Sequence, residues 1–383
     1  MHPSKKPTEE SRDNDNVPAC LGKLVDGFVF VWIWHDWPFE FVERANDAED
    51  LLLPQQIGLA RRMSRETFPA PYDNGRPKMI RLALIGQAKA AKSYGAIRTR
   101  LHRAAWAAFV PLTASDGQAG QALGQATTAP STEALFTEQA NDFDAVVIDA
   151  DPGQAASLAK AADAGKPALA GPLFADIAAL GQADTMLMPA HTWRFLPSIQ
   201  AVKRSLDAGK LGEPGLLRIH RWLPPKATPE SLTERILPDA DLACWMFGGA
   251  PEKVWTLQTP SNPDYIQFHL GFANGGMAMI DIACSLPAGG DYFSLSIIGA
   301  TGAAYADDHH NMNLLYAGDQ PKALRTSEGR ADLAGQLQEF VDAIHEQRQA
   351  TVILKDATRA IAVTEQIIES ANSNHVIEKK EDS

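Results

Sequence analysis

From Met79 onward, short apolar runs alternate with alanine-rich stretches of helical character. Ile80–Ile85 predicts a strand, Ser93–Ala107 a helix, Ala108–Leu112 a second strand and Gln118–Thr127 a second helix. Ala145–Ile148 is a wholly apolar run of the kind buried on both faces of a parallel sheet. A helix over Gln154–Ala164 and a strand at Ala168–Leu169 continue the alternation. Strands alternating with helices predict a parallel sheet covered on both faces. Beyond about residue 185 the texture changes. Ser198–Ala208 reads as a helix capped by Gly209 and Gly212. Leu216–Trp222, Lys253–Thr259, Tyr265–Phe272, Met277–Ser285 and Phe293–Ile298 then read as strands. Turn signals at Asn274–Gly276 and Pro287–Gly290, with no helices between, predict a mostly antiparallel sheet. Two long helices, Arg330–Gln347 and Lys355–Asn372, follow.

This pattern organises the 383 residues into an α/β part over 79–184 and an α+β part over 185–378, with a short tail at 379–383. Residues 1–78 lack a sustained period and carry Trp32, Trp34 and Trp37 beside proline-rich ends. They predict a poorly ordered extension with one short element docked on the body. Met79 stands directly before the first strong strand, so translation starting there is a live alternative. A net charge of −12 argues against nucleic acid or an anionic membrane as partner, since both need a basic face. The longest apolar run, Phe28–Trp34, is far shorter than the roughly 20 residues of a membrane helix. The three cysteines, Cys20, Cys244 and Cys284, are far apart and outside metal-ligand spacing. Unpaired thiols and a cytoplasmic setting are the expectation.

The candidate chemistry begins at Gly86. An apolar strand running through Gly86-Gln87-Ala88-Lys89-Ala90-Ala91 into a helix is how a dinucleotide-binding βαβ unit opens. The first fingerprint glycine is present, but Ala88 and Ala91 replace the second and third. A methyl group at Ala88 obstructs the approach of a pyrophosphate, whereas alanine at the third position is an accepted variant. The same residues lie one substitution from a phosphate-binding loop, with Lys92 on phosphate, Ser93 on Mg²⁺ and Val146–Asp149 as the metal-binding strand. A P-loop nucleotidase is therefore the remote alternative. Lys89 and Lys92 could also attract an anion to the helix start, against the plainer reading of solvated lysines. His309–His310 cannot chelate one ion from a strand, because adjacent side chains point to opposite faces. No metal site is expected.

Several segments, taken in order, resemble the glucose–fructose oxidoreductase/inositol dehydrogenase (Gfo/Idh/MocA) family. They are Asp144–Ile148 with Asp151-Pro152, Ala164–Lys166 with Gly171–Leu173, Trp193–Phe195 with Pro197, and Gly209–Glu213. Asp239–Leu242 with Trp245 and Gly248, Phe272–Gly276, Ile298–Gly302 and Leu337–Phe340 complete the set. The resemblance implies a Rossmann domain followed by an open sheet that binds a sugar or polyol and mediates oligomers. It also implies hydride transfer to NAD or NADP, with a lysine and a helical histidine serving the proton. Gly86, Gln87, Ala88, Lys89, Asp116 and Pro152 are then the candidate cofactor contacts, with Asp116 near the ribose-binding acid. Arg194 and Lys226 are the candidate substrate contacts, although Arg194 could equally pair with a carboxylate. The catalytic positions diverge: Ala170-Gly171-Pro172 replaces Glu-Lys-Pro, and Pro238 takes the place of the histidine. The threonine and histidine usual after the fourth strand fall near Ala150 and Ala155. Glu234, Asp241 and His191 remain as polar cleft candidates. The expectation is a degenerate member with weakened cofactor binding and impaired activity. The alternative is a non-catalytic binding or assembly subunit, paired through the open sheet with itself or an active relative. A homo-oligomer through the second sheet is expected.

Overall fold

Strand β1, Ile80–Gly86, is buried on both of its faces, which is what its unbroken apolar sequence requires in a covered parallel sheet. The computed structural model describes residues 72–378, apart from 74–75, 150–153, 172–184, 226–230, 260–261, 288–291, 308–311, 317–320 and 326–329. The extension over residues 1–71, His309–His310 and the tail at 379–383 lie outside the described residues. Around β1 the strands β2 (Ala104–Pro111), β3 (Thr127–Thr128), β4 (Ala145–Asp149), β5 (Ala168–Ala170) and β6 (Leu187–Pro189) form one six-stranded sheet. Its order is β3-β2-β1-β4-β5-β6 and every pairing is parallel. This is the doubly wound order whose connections reverse direction between β1 and β4.

Helix α1 spans Ala88–Ile97, starting five residues earlier than the sequence predicts and ending ten residues sooner. A three-residue 3₁₀ turn, Arg98–Arg100, follows, and Arg103 adopts φ 60°, which a continuing helix forbids. Ala104–Ala107, predicted as helix on alanine propensity, belongs to β2. There Ala104, Trp106 and Ala108 pair with Ile80, Leu82 and Ala83, and burial between β1 and the sheet's covers outweighs the propensity. Gln118–Thr127 is likewise replaced by a 3₁₀ helix, Ala114–Leu123, and the edge strand β3. Short elements went unforeseen: α2 (Thr132–Thr137), capped by Ser131, and the 3₁₀ turn Thr192–Phe195. Helix α3 (Gln154–Asp163) lies where predicted.

Helix α4 (Pro197–Asp207) leads into the second sheet, whose strands are β7 (Pro214–Trp222), β8 (Lys253–Thr259), β9 (Asn262–Gly271), β10 (Met277–Ala283), β11 (Tyr292–Gly299) and β12 (Ala303–Asp307). With β13 (Ile377–Glu378) the order is β12-β11-β7-β10-β9-β8-β13, and only β7 with β10 is parallel. Helices α5 (Leu232–Phe247) and α7 (Leu354–Ser373) cover one face, packing Ile236, Ala240, Val363 and Ile367 on Leu217, Phe268 and Ile280. Helix α6 (Ala331–Glu346) returns to the parallel sheet instead. Its Leu333, Leu337, Phe340 and Val341 join Leu82, Leu84 and Phe109 in one core. Each such fully buried side chain contributes roughly 1.5–3 kcal/mol. Residues Ala70–Ser383 form one compact unit.

The 3₁₀ helix Ala114–Leu123 sits so close to α1 that a Cβ on Gly95 would lie 2.5 Å from the Ala122 carbonyl oxygen. Gly95→Ala is expected to destabilise the protein by about 1–3 kcal/mol in urea denaturation. Gly117→Ala, with nothing within 4 Å of the new atom, should stay within about 0.5 kcal/mol of the parent.

Candidate active site

The crevice outside the carboxyl ends of β1 and β4 is where a doubly wound sheet takes its ligand. Gly86 closes β1 there, and a Cβ on it would stand 3.0 Å from the Asp149 carbonyl and 3.1 Å from Ala90 Cβ. That close approach, rather than turn conformation, demands glycine. Gln87 is the N-cap of α1 but makes no side-chain cap bond, and the first turn holds no acidic residue. The compensating carboxylate comes from outside the helix. Asp116 accepts from the Ala88 N–H at 3.0 Å, from the Thr113 N–H at 3.1 Å and from the Thr113 hydroxyl at 2.7 Å. The Thr113 hydroxyl, followed by the Ala88 N–H, holds the Asp116 carboxyl below the usual range. Gln87 and Lys89 are exposed at the same mouth.

Lys92 and Ser93 lie in the second turn of α1, because the helix already begins at Ala88. A phosphate-binding loop would require the helix to start at the lysine, so the P-loop reading is corrected. Ser93 Oγ instead accepts a hydrogen bond from Arg330, the residue before α6. Asp149 ends β4 opposite Gly86, and burial pushes its carboxyl up against the opposing charges of Arg330 and Lys89. Neither Asp149 nor Arg330 stood out in the sequence as a cofactor-cleft residue. Their placement depends on strand register and on the return of α6. Pro152 and Lys226 lie outside the described residues.

Three cleft candidates, His191, Arg194 and Asp241, do come together, but inside the protein. Their side chains are 2%, 3% and 2% exposed. Arg194 donates to Asp241 through Nε at 2.7 Å and Nη2 at 2.5 Å, while His191 Nδ1 stands 3.1 Å from Oδ2. Arg194 also faces Asp356 on α7 at 3.4 Å and lies over the Trp245 ring. Gln336 on α6, with its amide oxygen toward the turn, accepts from the His191 N–H at 3.1 Å. The network therefore joins the Thr192–Phe195 turn to α5, α6 and α7. Although burial opposes ionisation, His191 and Arg194 prevail and hold Asp241 at about 2. Of the two readings of Arg194, pairing with a carboxylate is the one observed.

Glu234 is occupied at N3 of α5. Its carboxylate accepts from the Ser231 N–H at 2.8 Å and the Ser231 hydroxyl at 2.7 Å, and Ser231 Oγ accepts from the Glu234 N–H. The capping-box spacing Ser231-x-x-Glu234 was the available sequence signal. Pro238 sits within α5 and lacks the N–H that would bond back to the preceding turn. Beside it, Arg221 of β7 donates to the Arg235 carbonyl and, through Nε at 2.8 Å, to Asp239. Burial drives the Asp239 carboxyl up, with Arg221 opposing. Arg221 shares the inward register of Leu217 and Ile219, an anomaly legible in the strand alternation. Among the described residues no cluster of three or more His, Cys, Asp or Glu could hold a metal ion.

Removing the charge of Asp241 leaves Arg194 buried beside an incomplete set of partners. Asp241→Asn is expected to lower stability by about 3–5 kcal/mol at neutral pH. The folded-state value of about 2 lies below the roughly 3.9 of an unfolded aspartate, so this stabilisation is present above pH ~4. It is lost as pH falls toward 2. Denaturant titrations from pH 7 to pH 2 should show the gap between parent and variant closing across that window.

Residues 203–378 match the family model described as "Oxidoreductase family, C-terminal alpha/beta domain" (GFO_IDH_MocA_C). No curated protein matches the chain. Solved structures do. A myo-inositol dehydrogenase from Corynebacterium glutamicum is 18% identical, with TM-score 0.68 over 79% of this chain and 99% of that one. A scyllo-inositol dehydrogenase from Lactobacillus casei, with bound NAD(H) and scyllo-inositol, is 18% identical, with TM-score 0.67 over 79% and 99%. An oxidoreductase from Agrobacterium radiobacter, in complex with NAD⁺, L-tartaric acid and magnesium, is 20% identical, with TM-score 0.67 over 79% and 98%. The chain thus shares the two-sheet fold of these structures, and its residues 203–378 match the model of the C-terminal α/β domain of Gfo/Idh/MocA oxidoreductases.

Proposed function

We propose that the chain is a Gfo/Idh/MocA-type protein that binds NAD(H) in the β1–β4 crevice and has lost most of its hydride-transfer activity. Residues 79–184 form the nucleotide-binding part and 185–378 the sugar- or polyol-binding and assembly part. The observation that carries the reading is Asp116. It is fixed by the Ala88 N–H at the start of α1, where an acid can accept from ribose hydroxyls. A helix start with no acid or side-chain cap of its own, the Gly86 close approach and Lys89 also fit a dinucleotide. The Ala88 methyl is the one departure and supports weakened affinity. A carboxylate at Asp116 disfavours a 2′-phosphate, which favours NAD over NADP.

Bound NAD⁺ would supply the hydride acceptor, and the chain must then accept the proton of the substrate hydroxyl. Gly171 and Pro238 have no titratable side chain, and Glu234 is engaged by Ser231. His191 and Asp241 are buried against Arg194 and are turned to stability rather than to substrate. Losing a general base alone lowers turnover by ~10²–10⁴-fold. Cys244, a buried free thiol, agrees with a reducing, cytoplasmic setting. Among the described residues no helix is long and apolar enough to cross a membrane.

A second reading, a non-catalytic assembly subunit, is favoured by the outer face of the second sheet. Trp255, Leu257, Tyr265, Met277, Ile298 and Tyr305 are exposed there at outward strand positions. An apolar face of this kind suits association with a second copy.

NADH fluorescence titration is expected to show binding that Asp116→Asn weakens by about 10-fold, with NADPH weaker than NADH. Turnover of inositols or other polyols with NAD⁺ should fall at the limit of detection. Absence of binding at millimolar NADH would remove the nucleotide reading. For the second reading, light scattering should report an oligomer that Leu257→Asp converts to monomer with an unchanged melting temperature. A monomeric parent would refute it.

A further inference from the structure

We infer that Arg330 is a nucleotide-phosphate contact delivered to the crevice by the second half of the chain, with Asp149 as its opposing charge. The inference rests on the nucleotide-binding reading above. Charged groups from three elements act on one another here: Lys89 of α1 and Arg330, the residue before α6, both oppose the charge of Asp149 at the end of β4. Arg330 reaches across to α1, where its Nη1 donates to Ser93 Oγ. Asp149 lies beside the strand end where ligand phosphate would sit, its Cβ 3.6 Å from the position of a Cβ on Gly86. Arg330 is the largest opposing charge felt by the Asp149 carboxyl, and Lys89 the next.

Docking of α6 does not need the Arg330 contact. Leu333, Leu337 and Phe340 are buried in the core of the parallel sheet. Arg103 pairs with Asp342 at 2.9 Å, and the His102 N–H donates to Gln338 at 2.8 Å. Arg330 itself is exposed and holds a left-handed backbone, φ 54° and ψ 49°. Such a conformation in a non-glycine residue persists when surrounding structure fixes it, and it clusters at ligand sites. The Ser93 hydroxyl is neutral and cannot offset a guanidinium. A pyrophosphate entering beside Asp149 would meet a like charge, and Arg330 with Lys89 supplies the compensation.

The test is titration of the full chain, its Arg330→Ala variant and its Asp149→Asn variant with NADH, ADP and adenosine, alongside melting temperatures. Arg330→Ala should weaken NADH and ADP by about 10-fold, leave adenosine unchanged and leave the melting temperature unchanged. Asp149→Asn should tighten NADH and ADP by about 3-fold, the opposite sign, because a like charge is removed. Equal ADP affinities for parent and Arg330→Ala would overturn the role of Arg330 alone. An equal loss for adenosine would do the same, by showing a packing effect. A parent that binds neither NADH nor ADP would take the nucleotide reading down as well, and is thereby told apart.

Discussion

The Asp241 carboxylate is the constraint around which the second half of the chain is arranged. It is buried, ionised and saturated by Arg194 and His191. An isolated carboxylate at this depth would cost several kcal/mol, so the turn Thr192–Phe195 must keep station against α5. Through Asp356 the same guanidinium engages α7, and through Gln336 the turn engages α6. Four elements that meet far apart in sequence are thus tied at one charge. This structural duty is sufficient reason for a carboxylate at Asp241.

Pairing of buried charges recurs around Pro238. Pro238 removes one helical donor from α5, and the helix nevertheless runs unbroken from Leu232 to Phe247. Arg221 satisfies the neighbouring Arg235 carbonyl and pairs with Asp239, so a basic side chain and an acidic one fill buried space beside Pro238. At the β1–β4 crevice, Asp116 holds the Ala88 N–H at the start of α1, next to Gly86, and α6 closes over the sheet that supports them.

Much of this was legible along the chain, for reasons particular residues make plain. Val146–Ile148 is apolar at every position, which restricts it to a strand covered on both faces. The alternation of Leu217, Ile219 and their outward neighbours marks β7 as half-covered. Ser231 and Glu234 stand at capping-box spacing, which on sequence alone assigns the Glu234 carboxylate to the start of α5. Ala104–Ala107 could not be read correctly. Alanine favours a helix locally, and only pairing with Ile80–Ala83 makes a strand the better solution.

The sequence by itself determined the two-sheet plan, the glycine closing β1, and the absence of a lysine or histidine at Gly171 and Pro238, because these are properties of local period and side-chain identity. Tertiary structure decided where the charges go. Arg194 and Asp241 are 47 residues apart, and whether they face solvent, substrate or each other depends on which helices exclude water from between them. Asp149 faces Gly86 only because β4 aligns with β1, and Arg330 reaches Ser93 only because α6 returns across the sheet. Desolvation is a property of the packed neighbourhood, and no local pattern of residues encodes it.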